Sequence, residues 1–117
     1  MPIPLYKQEI FEALWAGYSP HPATDTPTQT PHRWLILFSS TGCAPCERLD
    51  KSAIEEASYA AGYTFYICDA KINRYTPVYC DITRYPTFQL MEPGKVIASL
   101  TSSDTATVVQ WIKEHSV

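Results

Sequence analysis

Two cysteines three residues apart, Cys43 and Cys46, are the residues of this chain best suited by type and spacing to do chemistry. They lie in Ser40-Thr41-Gly42-Cys43-Ala44-Pro45-Cys46, where a continuous apolar run gives way to a helical pattern. The nucleophile in disulfide exchange is a thiolate, so reactivity depends on lowering a thiol pKa from its ordinary value of about 8.5. Backbone N–H groups at a helix start lack intrahelical partners and the dipole there is positive, and both favour a Cys43 thiolate. Cys46 lies about one turn further on, points the same way, and sits deeper in the helix, where less exposure is expected. That asymmetry sets the roles: Cys43 attacks a partner's disulfide, and Cys46 then attacks Cys43 and releases the reduced partner. Pro45 fixes φ in a first turn where its missing N–H is no loss. The competing readings are an inert structural disulfide and half of a zinc site. Zinc would need two further ligands, and Cys68 and Cys80 lack the close paired spacing of common zinc motifs, so redox chemistry is preferred.

The elements that must position this pair follow from periodicity. Trp34 to Phe38 is an apolar run suited to a central strand buried on both faces. From Ala44 to about Ala61 the residues Cys46, Leu49, Ala53, Ala57 and Ala60 fall on one helical face, and Gly62 ends the helix. Tyr63 to Cys68 reads as a second inner strand, with Tyr63, Phe65 and Tyr66 as packing residues. Ala70 to Asp81 is irregular, with a short helix around Pro77. Thr87 to Met91 and Val96 to Leu100 are strands joined by the tight turn Glu92-Pro93-Gly94-Lys95. Asp104 caps a last helix whose apolar side carries Ala106, Val109, Trp111 and Ile112. Ahead of these, Ile3 to Leu5 is a short edge strand. A helix from Tyr6 to Ala16 follows, with Tyr6, Ile10, Phe11, Leu14 and Trp15 on one face between Pro4 and Gly17. Ser19 to His32, with four prolines among Thr, Asp and Ala, is expected to be an extended connection. Strands alternating with helices and then a hairpin imply a mixed sheet covered by helices on both faces.

Composition narrows the classes. At 117 residues one domain over 1–117 is expected, with 1–33 its N-terminal helix and Pro/Thr-rich loop. The net charge of -3 and the lack of a Lys/Arg block argue against nucleic acid or an anionic membrane as partner. The longest dense apolar stretch is too short to span a bilayer, and Met1 to Glu9 does not read as a retained secretory signal, so cytoplasm is the expected location. Four cysteines are too few for a stapled mini-fold. Cys68 ends an apolar strand and is expected to pack as a small thiol, while Cys80 is expected to be more exposed; a bond between them stays open. His21, His32 and His115 are scattered and read as solvated, as does Arg84.

The run from Trp34 to Cys46, the segment Tyr85-Pro86-Thr87-Phe88 and the Pro93-Gly94 hairpin resemble the thioredoxin family over roughly residues 34 to 117. The resemblance implies a thioredoxin-like α/β fold with a central mixed sheet. It also implies a thiol–disulfide oxidoreductase, monomeric and without a bound cofactor, acting on protein disulfides and re-reduced by a reductase or another thiol protein. Pro86 would be the family's cis-proline beside the cysteine pair, and Tyr85 would offer its backbone to an incoming peptide and touch Cys43. Gly42, Ala44, Pro45, Tyr85 and Pro86 would thus support the pair and help bind substrate.

The departures are specific. Gly42 stands where the family has tryptophan. Leu37 and, at about its position, Ile67 replace a buried Asp and its Lys companion. No proline near Lys51 kinks the long helix, and Ser102 aligns near the glycine usual after the last strand. Since that Asp relays protons for the resolving thiol, Cys46 would rely on solvent or Glu47, implying a slower or less strongly reducing enzyme, or a different partner. The same departures motivate a rival from another class, a binding module that keeps the fold without turnover. A glutathione-using enzyme is a weaker alternative, because both motifs look more thioredoxin-like than glutaredoxin-like.

Overall fold

Trp34–Ser39 (β2) is the axis of the structure: all six of its residues are buried, as expected for a strand covered on both faces. A computed structural model describes residues 2–17 and 33–116; the connection expected from Ser19 to His32 lies outside them. β2 pairs in parallel with Thr64–Asp69 (β3), which pairs in parallel with the edge strand Ile3–Pro4 (β1). On its other side β2 pairs antiparallel with Thr87–Glu92 (β4), and β4 with Lys95–Thr101 (β5), giving the order β1-β3-β2-β4-β5. The β4–β5 turn has Gly94 at φ +73°, as a Pro-Gly turn of the second type requires.

Alternation along the strands builds two cores. Leu35, Leu37, Phe65, Phe88 and Leu90 face Lys51–Ala60 (α3) and Thr105–Glu114 (α5) through Ile54, Ala57, Val108 and Ile112. Trp34, Ile36, Phe38, Tyr66, Cys68 and Met91 face the other way, against Leu5, Phe11 and Leu14. Leu5, just past β1, donates its N–H to Ile67 O (2.8 Å), which keeps the chain extended beyond Pro4. The first helix is therefore Gln8–Trp15 (α1) rather than Tyr6–Ala16, and Tyr6 is exposed instead of packed. Gln8 is buried there because its Oε1 accepts the Thr76 hydroxyl (2.6 Å), in the helix Tyr75–Tyr79 (α4), the short helix expected around Pro77.

The long helix expected over 44–61 is two helices. Ala44–Glu47 (α2) closes with Leu49 N–H on Cys46 O (3.3 Å), and α3 starts afresh at Lys51. Asp50 makes the break: its backbone is extended, and its Oδ1 caps α3 by accepting Ala53 N–H (3.1 Å). Its own N–H leaves the helical ladder for Thr105 Oγ1 (3.0 Å) at the start of α5. A capping carboxylate thus interrupts the helix where no proline does. The interruption also rotates the buried face to Cys46, Leu49, Ile54, Ala57, Ser58 and Ala61; Ala53 is half-buried and Ala60 exposed. In α5, Asp104 caps Thr107 N–H (3.0 Å) as expected, but Val108 and Ile112 form the buried stripe and Ala106 is exposed.

Because Asp50 both caps α3 and ties it to α5, Asp50→Ala is expected to cost about 1 kcal/mol of stability. A urea midpoint equal to that of the unsubstituted protein would contradict this role.

Candidate active site

The loop leaving β2 is set by a turn. Cys43 N–H donates to Ser40 O (3.0 Å), and Gly42, in the third position, has φ +84°. A Cβ on Gly42 would meet no atom within 4 Å, so the backbone conformation, not lack of space, calls for glycine here. The exposed loop is held from one side by Asp69, the last residue of β3, whose register partner is Ser39. Its carboxylate accepts Thr41 N–H (3.1 Å), the Thr41 hydroxyl and Lys71 N–H (2.9 Å), while Ala70 N–H reaches Ser39 O (2.8 Å). Burial alone would raise the Asp69 pKa. The hydrogen bonds from Thr41 and Lys71, with the Lys71 charge, outweigh it and hold the carboxyl below its ordinary value. This hold is complete at neutral pH and weakens as the pH falls through that depressed pKa.

Cys43 is the N-cap of α2 and Cys46 the third helical residue, joined here as a disulfide with Cα atoms 5.3 Å apart. The Cys43 Sγ accepts Cys46 N–H (3.3 Å) while Cys43 O accepts Glu47 N–H (3.2 Å). Cys43 is half-buried, whereas Cys46 is only 2% exposed. Ala44 is exposed, and Pro45 occupies a first-turn position where no donor is lost. One expectation needs correcting. With α2 only four residues long, the dipole is that of a single turn, and the Cys46 N–H is the group that acts directly on the Cys43 sulfur.

The Tyr85–Pro86 peptide bond is cis, and Tyr85 O lies 3.9 Å from Cys43 Sγ. In the disulfide that sulfur has no proton, so this is a contact; in the dithiol it becomes a weak S–H donor. The Tyr85 ring is half-buried against the core cluster that contains Phe38 and Cys68, leaving its backbone beside the cysteine. Thr87 Oγ1 donates to Arg84 O (2.7 Å), holding the bend into β4.

Other residues singled out by sequence stand apart. Leu37 is fully buried in the α3/α5 core, and its register partner is Ile67, so the two substitutions sit side by side on adjacent strands. Glu47 and Arg84 are exposed. Cys68 and Cys80 are free thiols, Cys68 buried in the opposite core and Cys80, the more exposed of the two, half-buried against it; burial pushes each up to about 12. His115 is not simply solvated: its ring lies 5.5 Å from that of Trp111 and its Nδ1 is 2.9 Å from Trp111 O. Among the described residues, no group of three or more His, Cys, Asp or Glu is arranged to hold a metal ion, and no helix is long and apolar enough to cross a membrane. Sequence alone does not single out Asp69, because its service to the loop depends on the parallel register of β2 and β3.

A mixed sheet with a one-turn helix carrying a cysteine pair at the end of its central strand defines a thioredoxin-type fold. Residues 25–114 match the thioredoxin family model, and the chain belongs to the thioredoxin family. A thioredoxin-like protein of Acanthamoeba polyphaga mimivirus is 29% identical over 84 residues, covering 70% of this chain and 61% of that protein. The chain thus spans less than two thirds of that relative's length. Among solved structures, the thioredoxin of Malassezia sympodialis superposes with a TM-score of 0.77 at 18% identity, covering 100% of this chain and 92% of that one. Mitochondrial thioredoxin 3 of Saccharomyces cerevisiae gives 0.72 at 21%, covering 97% and 94%. These likenesses show the fold. The thioredoxin domain and the disulfide-forming pair together support thiol–disulfide oxidoreductase chemistry in general.

The raised thiols make a direct expectation. In the folded, oxidised protein at pH 8, Cys68 and Cys80 are expected to resist an aromatic disulfide reagent, and both to react once the chain is unfolded. Rapid labelling of either in the native state would contradict it.

Proposed function

We propose that the chain exchanges dithiol for disulfide on protein partners, with Cys43 as nucleophile and Cys46 as the resolving thiol. The observation that carries this reading is the half-buried Cys43 sulfur, held by Cys46 N–H beside the Tyr85 carbonyl and above the buried Cys46. In the reduced protein the Cys46 N–H stabilises a Cys43 thiolate. That thiolate attacks a partner disulfide: an S–S bond forms to Cys43, and one partner sulfur leaves as a thiolate that takes a proton. Cys46 then loses its proton and attacks Cys43 Sγ, expelling the second partner thiol and leaving Cys43–Cys46 oxidised by two electrons. A reductase or another thiol protein returns those electrons. Gly42, Ala44, Pro45, Tyr85 and Pro86 shape the approach, with the Tyr85 backbone receiving the peptide. The reading places a monomer in the cytoplasm, where reducing thiols keep such a pair in turnover.

Leu37 and Ile67 bear on rate. No carboxylate stands at Leu37 to take the Cys46 proton, which must pass to solvent or toward exposed Glu47, so resolution is slow and the couple less strongly reducing. The same apolar pair favours a second reading, a partner-binding module without turnover.

Insulin reduction with dithiothreitol separates the two. The protein is expected to accelerate it, Cys43→Ser to abolish the acceleration, and a glutathione-buffered titration to give a potential less negative than thioredoxin's, about -270 mV. A wild type no faster than Cys43→Ser would remove the oxidoreductase reading and leave the binding module. A potential at the thioredoxin value would contradict the consequence assigned to Leu37.

A further inference from the structure

We propose that Asp69 is a positioning residue for the attacking cysteine, clamping the loop in front of Cys43 so that its sulfur stays on the Cys46 N–H. The proposal deepens the oxidoreductase reading and rests on it. Cys43 N–H donates to Ser40 O (3.0 Å), so the place of Cys43 is set by the turn Ser40–Cys43 as well as by its bond to Cys46. Gly42, at the third position of that turn with φ +84°, has no side chain that could tie the turn to its surroundings. Thr41 is the residue of the turn that is tied to the sheet, through its backbone N–H on one Asp69 oxygen and its hydroxyl on the other. A two-point attachment of this kind fixes orientation as well as position. Lys71 N–H on the same carboxylate, and Ala70 N–H on Ser39 O, anchor the clamp to the ends of β3 and β2.

Severing the clamp leaves the turn held only through its two ends, β2 and α2. Cys43 then samples conformations in which Cys46 N–H no longer points at its sulfur, and the thiolate loses that donor. Two physical effects of Asp69 oppose one another here. As a clamp it favours the thiolate; as a nearby negative charge it disfavours it. Removing the side chain and removing only its charge therefore have different outcomes.

The test is the pH profile of Cys43 alkylation by iodoacetamide, read by mass spectrometry on the Cys43 peptide of the reduced full chain carrying Cys46→Ser, which keeps the residue-46 N–H. With Asp69→Ala the Cys43 pKa is expected to rise by about one unit, slowing alkylation about tenfold at pH values below it. Asp69→Asn, whose amide oxygen still accepts Thr41 N–H, is expected to stay within about twofold of the Asp69 protein. An unchanged profile in Asp69→Ala, or Ala and Asn variants shifting together to lower pKa, would overturn the clamp. Where Asp69→Ala does not fold, Thr41→Val decides: a smaller shift in the same direction supports the clamp, and an unshifted profile overturns it. Alkylation needs no disulfide substrate. A shifted profile in a protein without insulin turnover therefore removes the oxidoreductase reading alone, and an unshifted one in an active protein removes the clamp alone.

Discussion

One hydrogen bond organises the site: the Cys43 sulfur takes the Cys46 N–H at the start of a one-turn helix. For a cysteine to act as an N-cap it must stand in extended backbone just outside the helix, with its side chain turned back over the first turn. Cys43 meets that condition at φ -84° and ψ 106°. The sulfur then replaces the hydroxyl or carboxylate usual at such positions, and the unpaired donor of the helix becomes the group that favours its charged form. Placing Cys46 as the third helical residue makes the donor and the second sulfur of the pair belong to one residue.

So short a helix cannot hold itself, since one turn is below the length at which helices are stable alone. Neighbouring elements hold it instead. In front, the turn from Ser40 is tied by Asp69 to the end of β3. Behind, Leu49 is buried in the α3/α5 core and Asp50 is joined to Thr105. Beneath, β2 is covered on both faces and supplies no freedom of its own. The apolar pair Leu37–Ile67 fits this arrangement. A lone carboxylate at Leu37, which is fully buried, would be a buried charge without a partner, a state costing several kcal/mol. Leucine there avoids that penalty, with half-buried Ile67 beside it on β3.

Sequence made legible those parts whose signal is local. The Trp34–Phe38 run, the Thr87–Leu100 hairpin with its Pro-Gly turn, and the cysteine pair at a strand-to-helix junction each carry their cause within a few residues. Periodicity does not reveal the break at Asp50, because alanines at 53, 57 and 60 satisfy a continuous helical period, whereas the competing cap depends on a tertiary bond to Thr105. Periodicity puts Tyr6 on a helical face because it does not register the Leu5–Ile67 bond that keeps the chain extended. Asp69 was invisible for the same reason as the break: its partner, Thr41, lies 28 residues away and meets it only through strand register.

The most direct test of the account is to trap the first covalent step. With Cys46→Ser present, the reduced protein mixed with a disulfide-bonded peptide should accumulate a mixed disulfide that peptide mapping places on Cys43. The converse Cys43→Ser protein, whose remaining active-site thiol is buried, should accumulate none. An adduct on Cys46, Cys68 or Cys80, or none on Cys43, would contradict the assignment of Cys43 as the attacking sulfur.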